Sequence, residues 1–245
     1  MIEIFPSDCR TLDFLRPAIE QTFQIIDEFI AQYADASRIQ LPYATNERAT
    51  LSLLAGGIWR SHASSLVLEE YACVKGATGA SWNGRRDLWF RLGDHVCHGE
   101  AKQEDWPDAA RFTDAEASAG MRRALREARA AIRDSGNPTW VEKYRPDEVK
   151  LVAVPDRIRC FGIGFVVPFL YWQERKRNEV IMEKYALKLR AAAQRLTREE
   201  NCQLLWGRYY RPALLEESEF FMSRWKGTRL AMPELDIVLC EIPNE

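Results

Sequence analysis

Apolar residues recur every three or four positions in several stretches of this chain. In the first stretch they are Leu12, Leu15, Ile19, Phe23, Ile26 and Ile30, which places them on one side of a helix. The pattern predicts four helices, over residues 11–33, 46–62, 109–134 and 173–196. In the second helix, the pair Gly56 and Gly57 weakens the helix or lets a neighbouring element pack closely against it.

Short segments of β-branched, aromatic and aliphatic residues between the helices predict strands. In the central part of the chain these are residues 66–74, 87–92, 96–103 and 149–154, and later candidates are 160–169, 202–210 and 235–242. From residue 46 onward the elements follow the order helix, three strands, helix, strand. Helices that alternate with strands in this way predict an α/β fold.

Two of the predicted strands carry charges that suit a site better than a core. Asp87 lies on the first strand, and Glu100 and Lys102 lie on the second, with a turn at Gly93 and Asp94 between them. Alternate side chains of a strand point to opposite faces, so Glu100 and Lys102 share a face. Two carboxylates and an ammonium would therefore meet at one point, which favours a divalent cation.

This arrangement resembles the PD-(D/E)XK nuclease superfamily, also called the restriction-endonuclease-like fold. Asp87, Glu100 and Lys102 match its three motif positions one for one, although Arg86 replaces the proline that usually precedes the first acid. The resemblance covers roughly residues 46–155. It implies a restriction-endonuclease-like core of order α-β-β-β-α-β with a mixed sheet.

The resemblance also implies a metal-dependent phosphodiesterase that acts on nucleic acid, with DNA as the expected substrate. Asp87 and Glu100, together with the carbonyl of Ala101, would bind Mg²⁺ or Mn²⁺. Lys102 would orient the attacking water and stabilise the charge that develops on the phosphate. DNA against RNA, and endonuclease against exonuclease, stay open at this point.

A fourth acid from a helix often completes the site of this family. Glu47 follows the possible helix cap Asn46 and is the preferred candidate. Glu69 and Glu70, on the neighbouring predicted strand, are the alternatives, since one of them must point to each face.

The chain is interpreted as one compact domain. Residues 1–45 would form an N-terminal helical segment, residues 46–155 the nuclease-like core, and residues 156–245 an α/β extension packed on the same domain. The net charge is −2, so only a local basic patch can hold a polyanion. The candidates for this patch are Arg85, then Arg175, Lys176 and Arg177, and finally Arg122, Arg123, Arg126, Arg129 and Arg133 of the third predicted helix.

The cysteines and the apolar segments indicate a cytoplasmic protein. The six cysteines are scattered without a C-x-x-C pair, which argues for a reducing compartment and against a zinc module. Cys97 and His98 are adjacent on a predicted strand and point to opposite faces, so they do not share one ion easily. The N-terminus has no basic signal region, and the apolar run 160–172 is too short to span a bilayer.

Two other interpretations fit the same residues. The chain could be a non-catalytic nuclease-fold module that binds nucleic acid or a protein partner, including a second copy of itself. It could also be an unrelated α/β scaffold on which Asp87, Glu100 and Lys102 form an exposed ion cluster. Burial separates the possibilities, because a catalytic set lies in a cleft and an incidental set on a flat face.

Overall fold

The computed structural model describes most of the chain. The described residues are 1–6, 10–32, 41–75, 82–104, 107–113, 158–171, 175–212, 222–225 and 228–242, with six single positions between 115 and 126. The helices with described bounds are α1 (Arg16–Gln32), α2 (Glu47–Ser61) and α3 (Arg175–Glu199), and short 3-10 turns cover Asp13–Leu15 and Pro42–Ala44. None of these helices combines the length and the apolarity that crossing a bilayer requires.

Within the described residues, ten strands form two sheets. The strands are β1 (Ile2–Phe5), β2 (Leu66–Lys75), β3 (Trp82–Leu92), β4 (His95–Glu104), β5 (Ile158–Val166), β6 (Leu170–Tyr171), β7 (Gln203–Tyr210), β8 (Met222–Trp225), β9 (Thr228–Ala231) and β10 (Glu234–Ile242). Seven strands form the main sheet in the order β1-β7-β10-β5-β4-β3-β2, and β6, β9 and β8 form a small one. The predicted α/β class is therefore confirmed, and the main sheet takes strands from all three predicted segments.

The main sheet is mixed because one pair of its described strands is parallel. β4 and β5 run in the same direction, whereas the other described pairs of this sheet are antiparallel. A parallel pair needs a crossover connection, and the chain between β4 and β5 supplies one. The predicted strand 149–154 lies outside the described residues, and the strand that pairs with β4 is Ile158–Val166.

The crossover contains helical residues that lie alongside α3. The six single positions between 115 and 126 are all helical. Lys188 donates to the carbonyl oxygen of Phe112 at 2.6 Å, and Arg122 pairs with Glu199. Arg122 follows Phe112 in the chain, and its partner Glu199 likewise follows Lys188. This helical segment therefore runs in the same direction as α3.

The helical segment begins later than the sequence predicts. Residues 109–111 form a turn, and the first described helical residues follow Thr113. The Thr113 hydroxyl accepts from the N–H of Glu116 at 3.2 Å, and the Glu116 carboxylate accepts from the N–H of Thr113 at 2.8 Å. This reciprocal pair is a capping box, which fixes the start of the helix at this point.

Helices cover both faces of the main sheet. On one face α1 and α2 enclose a core that includes Ile19, Phe23, Leu51, Leu54, Leu88, Cys97, Ala101 and Phe161. On the other face α3 encloses a second core that includes Phe112, Cys160, Tyr185, Leu189, Trp206 and Cys240. Residues of β5 and β10 alternate between the two cores, as the two-residue period of a strand requires.

The crossing of α1 and α2 depends on one of the two predicted glycines. A Cβ atom at Gly57 would lie 2.5 Å from the carbonyl oxygen of Ala18 and 2.1 Å from the hydroxyl oxygen of Thr22. No side chain fits in that space, so α1 packs directly on the backbone of α2. The expectation that the glycine pair admits a close neighbour is confirmed.

Candidate active site

The strands β3 and β4 separate at Asp87. Their ladder runs from Leu92 opposite His95 to Leu88 opposite Gly99, and Asp87 is the next residue of β3. Asp87 also makes no ladder pair with β2. The residue opposite it on β2 is Glu70, whose backbone is left-handed with a φ of 48°. We call the resulting gap, between Asp87 and the last residues of β4, the notch.

Two carboxylates fill the place that β3 leaves beside β4. The Asp87 Oδ2 atom accepts a hydrogen bond from the N–H of Ala101 at 2.8 Å. The Glu47 Oε2 atom accepts one from the N–H of Gln103 at 2.8 Å. The N–H and C=O of alternate strand residues point to the same edge, so both amides and the Ala101 carbonyl face the notch. The backbone of β4 thus holds both acids in place.

Glu47 reaches the notch because the start of α2 is fixed. Asn46 caps the helix, with its side chain accepting from the N–H of Ala49 at 2.9 Å. Gln103 then ties the first turn of α2 to β4. Its Oε1 atom accepts from the Thr50 hydroxyl at 2.8 Å, and its Nε2 donates to the Tyr43 carbonyl at 3.4 Å.

Lys102 joins the same group of residues. Its Nζ lies 3.4 Å from Glu47 Oε1, and the side chains are 37% and 35% exposed. Glu100 is half-buried two residues earlier, where the alternation of β4 gives it the same face as Lys102. An ion pair this exposed contributes about 0–1 kcal/mol to stability.

The site carries more acid than base and offers hard oxygen ligands. Glu47, Asp87 and Glu100 contribute three carboxylates, against the single ammonium of Lys102. In the part of the chain that the structure describes, no group of three or more His, Cys, Asp or Glu side chains is arranged to hold a metal ion. A divalent cation at the notch would therefore rest on two carboxylates, the Ala101 carbonyl and waters, a set that Mg²⁺ accepts.

The alternative acids have other partners. The Ser52 hydroxyl donates to Glu69 at 2.7 Å. Glu70 pairs with Arg48 and, at 3.2 Å, with Arg85. Glu47 is thus the helix acid that the structure brings to Lys102, and the predicted phosphate contact Arg85 is exposed beside Glu70.

The predicted basic patches have different surroundings. Lys176 and Arg177 are exposed at the start of α3, whereas the side chain of Arg175 lies outside the described residues. In the alternative patch, Arg122 pairs with Glu199 of α3. Arg129 and Arg133 also lie outside the described residues.

One residue beside the notch was missed as a candidate from the sequence. Arg86, considered there only as a replacement for proline, is 6% exposed, and its Nη1 contacts Nδ1 of His98. Burial, and next the positive charge of Arg86, lower the pKa of His98 to about 3. His98 is therefore a neutral imidazole, and its proton lies on Nε2 because Arg86 only donates.

Cys97 and His98 do point to opposite faces of β4. Cys97 belongs to the core under α1 and α2, and burial raises the pKa of its thiol. His95, at the start of the strand, stacks on Phe14 with ring centroids 4.1 Å apart. The three residues thus lie in three different surroundings.

Comparison of the chain with protein-family models, with curated proteins and with solved structures finds no match in any of the three. The chemistry of the notch therefore rests on the geometry of its own residues.

Proposed function

We propose that this chain is a metal-dependent phosphodiesterase that acts on nucleic acid, with DNA as the expected substrate. The observation that carries the proposal is the notch itself. Glu47 from α2, Asp87 from β3 and Lys102 from β4 meet where two strands separate, and backbone amides of β4 hold both acids. Three elements thus deliver charged groups to one half-exposed place, which an incidental surface cluster has no reason to do.

The order of the elements around the notch supports a restriction-endonuclease-like core. α2 is followed by β2, β3 and β4, then by the helical residues between 115 and 126, and then by β5 parallel to β4. This is the order α-β-β-β-α-β. α2 packs on one face of the sheet, and contacts of Phe112 and Arg122 with α3 support a place for the second helical element on the other.

The proposed chemistry is hydrolysis of a phosphodiester. Mg²⁺, when bound, supplies an activated water and neutralises charge on the phosphate oxygens. Asp87 uses Oδ2 to accept from Ala101, which leaves Oδ1 for the cation, and Glu100 and the Ala101 carbonyl complete the protein ligands. Lys102 orients the attacking water and stabilises the developing negative charge. Glu47 keeps the Lys102 ammonium in position at 3.4 Å.

The test is metal-dependent cleavage of supercoiled plasmid, linear duplex and single-stranded substrates. We expect cleavage with Mg²⁺ or Mn²⁺, loss of cleavage with EDTA, and products that carry a 5′-phosphate and a 3′-hydroxyl. Lys102→Ala and Asp87→Asn, purified in parallel, are the controls for a contaminating nuclease. Equal cleavage by these variants would contradict the proposal. Binding without cleavage would favour the non-catalytic module instead.

A further inference from the structure

Arg86 is a buried cation without a counter-charge in the described part of the chain. Its side chain is 6% exposed, and its one polar contact there is with His98. Its Nε has no hydrogen-bond partner among the described residues. Glu70 and the notch acids Glu47 and Asp87 have other partners.

This situation is costly without an anion. A guanidinium stays protonated at every accessible pH, so burial cannot neutralise it. A buried charge is normally paired, and an isolated one costs several kcal/mol. His98 supplies a neutral nitrogen lone pair, which accepts one hydrogen bond but brings no negative charge.

The backbone break at Asp87 explains why Arg86 lies on this face. Strict alternation would put Arg86 on the same face as Leu88, which belongs to the core under α1 and α2. Arg86 instead contacts His98, on the face that β4 turns toward α3. The skipped pairing of Asp87 is where the alternation changes. The same break thus delivers the acid to the notch and the arginine to the face beside it.

Arg86 lies next to the proposed cation site. His98 and Glu100 are two residues apart and share a face, which places them about 7 Å apart along the strand. Because Arg86 contacts His98, a group bound by Arg86 would lie beside the cation ligands.

We propose that Arg86 binds an oxyanion, and that this oxyanion is a backbone phosphate next to the scissile one; the second part rests on the proposed nuclease function. The planar guanidinium donates two parallel hydrogen bonds to a phosphate, a geometry that lysine lacks. Arg86 is then a substrate-positioning residue that fixes the register of the strand on the notch.

The first test uses inorganic phosphate as the probe and the melting temperature as the readout. At about ten times its Kd, phosphate should raise Tm by about 3–6 °C relative to chloride at equal ionic strength. Arg86→Met should lose this rise. Arg91→Met is the matched control, because Arg91 is an exposed arginine of the same strand and should keep it. If Arg86→Met does not fold, Arg86→Lys retains the charge without the fork and should show a smaller rise.

The inference is overturned if phosphate stabilises the unaltered protein no more than chloride does. An equal rise in both Arg86 variants overturns it too, because the guanidinium is then satisfied by an acid of the chain itself.

The second test measures duplex binding with Ca²⁺ in a Lys102→Ala background. Arg86→Met should weaken binding about tenfold to hundredfold, the range expected for hydrogen bonds to a charged group. It should also lower the log–log salt slope by roughly one.

Cleavage by the protein with Lys102 intact separates the proposed nuclease function from the proposed role of Arg86. If the chain cleaves DNA and Arg86→Met binds as tightly as its parent, the inference fails and the nuclease function stands. If the chain neither binds nor cleaves nucleic acid, the nuclease function fails, and the phosphate-dependent Tm decides the anion site alone.

Discussion

Two groups of acids lie near the same end of the main sheet and have opposite surroundings. Glu47 and its partner Lys102 at the notch are about one-third exposed. Glu234 and Asp236 at the start of β10 are fully buried under α3. Register across the sheet pairs Asp236 with Val166 of β5, and Val166 with the last residue of β4. At about 4.8 Å per strand, two strand spacings separate β10 from β4.

Side chains partner the buried acids. Arg208 donates to Glu234 at 2.8 Å and to Glu3 at 3.2 Å. Asp236 accepts from the indole N–H of Trp206 at 2.8 Å and from the Tyr185 hydroxyl at 3.2 Å. Burial, and next the neighbouring Glu234 carboxylate, raise the pKa of Asp236 well above its usual range.

The difference separates a structural network from a candidate site. A side-chain network in a dry interior is rigid, and losing one member leaves a buried charge uncompensated. At the notch, backbone amides of β4 hold Asp87 and Glu47, while solvent reaches the side chains of Glu47 and Lys102. We therefore expect substitutions in the buried network to change stability and substitutions at the notch to change activity.

The largest expected effect follows removal of Arg208. Arg208→Met leaves the Glu234 carboxylate, its partner at 2.8 Å, buried without its counter-charge, which should lower the free energy of unfolding by about 3–5 kcal/mol. Urea unfolding measures this, and cleavage per folded molecule should not change. Arg60→Met, which breaks an exposed pair with Glu28, is the control and should cost less than about 1 kcal/mol. A loss that small for Arg208→Met would mean that the acids need no counter-charge.

Substitutions at the notch should have the reverse profile. Lys102→Ala removes the group that we propose stabilises developing charge, so the cleavage rate should fall about 10²–10³-fold. Tm should change little, because its exposed pair with Glu47 contributes about 0–1 kcal/mol. Single-turnover cleavage and thermal melting together test this. A fall in Tm as large as that of Arg208→Met would make Lys102 structural and remove the contrast between the two groups.

The pH dependence of stability should come from the buried group. Because the pKa of Asp236 is raised on folding, the folded chain holds a proton that the unfolded chain releases above about pH 4. Stability should then fall as pH rises toward the folded pKa, by up to about 1.4 kcal/mol per pH unit. Asp236→Asn should flatten this slope in urea unfolding between pH 5 and pH 8. An unchanged slope would assign the proton to another group.

Periodicity in the sequence predicted the long helices and strands, because the apolar face of each extends over several helical turns or several pairs of strand residues. The short strands β1, β6, β8 and β9 have two to four residues, which is too few for a period to show. The sequence also predicted helix α2 with its cap at Asn46, and the hairpin that carries Asp87, Glu100 and Lys102.

The rest of the site depends on backbone geometry and distant partners. The skipped pairing of Asp87 and the left-handed Glu70 change which face Arg86 takes, and no local pattern indicates that change. Glu234 and Asp236 alternate with apolar residues as on a solvent-facing strand, yet α3 buries them. Their partners on β7 and α3 lie at least 26 residues away in the chain, so the sequence alone does not pair them.

The smallest expected effect compares two helix caps. Asn46 caps α2 at the notch, and Thr113 caps the helical segment beside α3. Replacing either by alanine should cost about 1 kcal/mol, the usual value for a lost N-cap. Only Asn46→Ala should also lower the cleavage rate, because Glu47 is the first residue of α2 and its carboxylate holds both Lys102 and the N–H of Gln103. Equal cleavage rates in the two variants, at equal folded fraction, would mean that Gln103 and Thr50 position Glu47 without the cap.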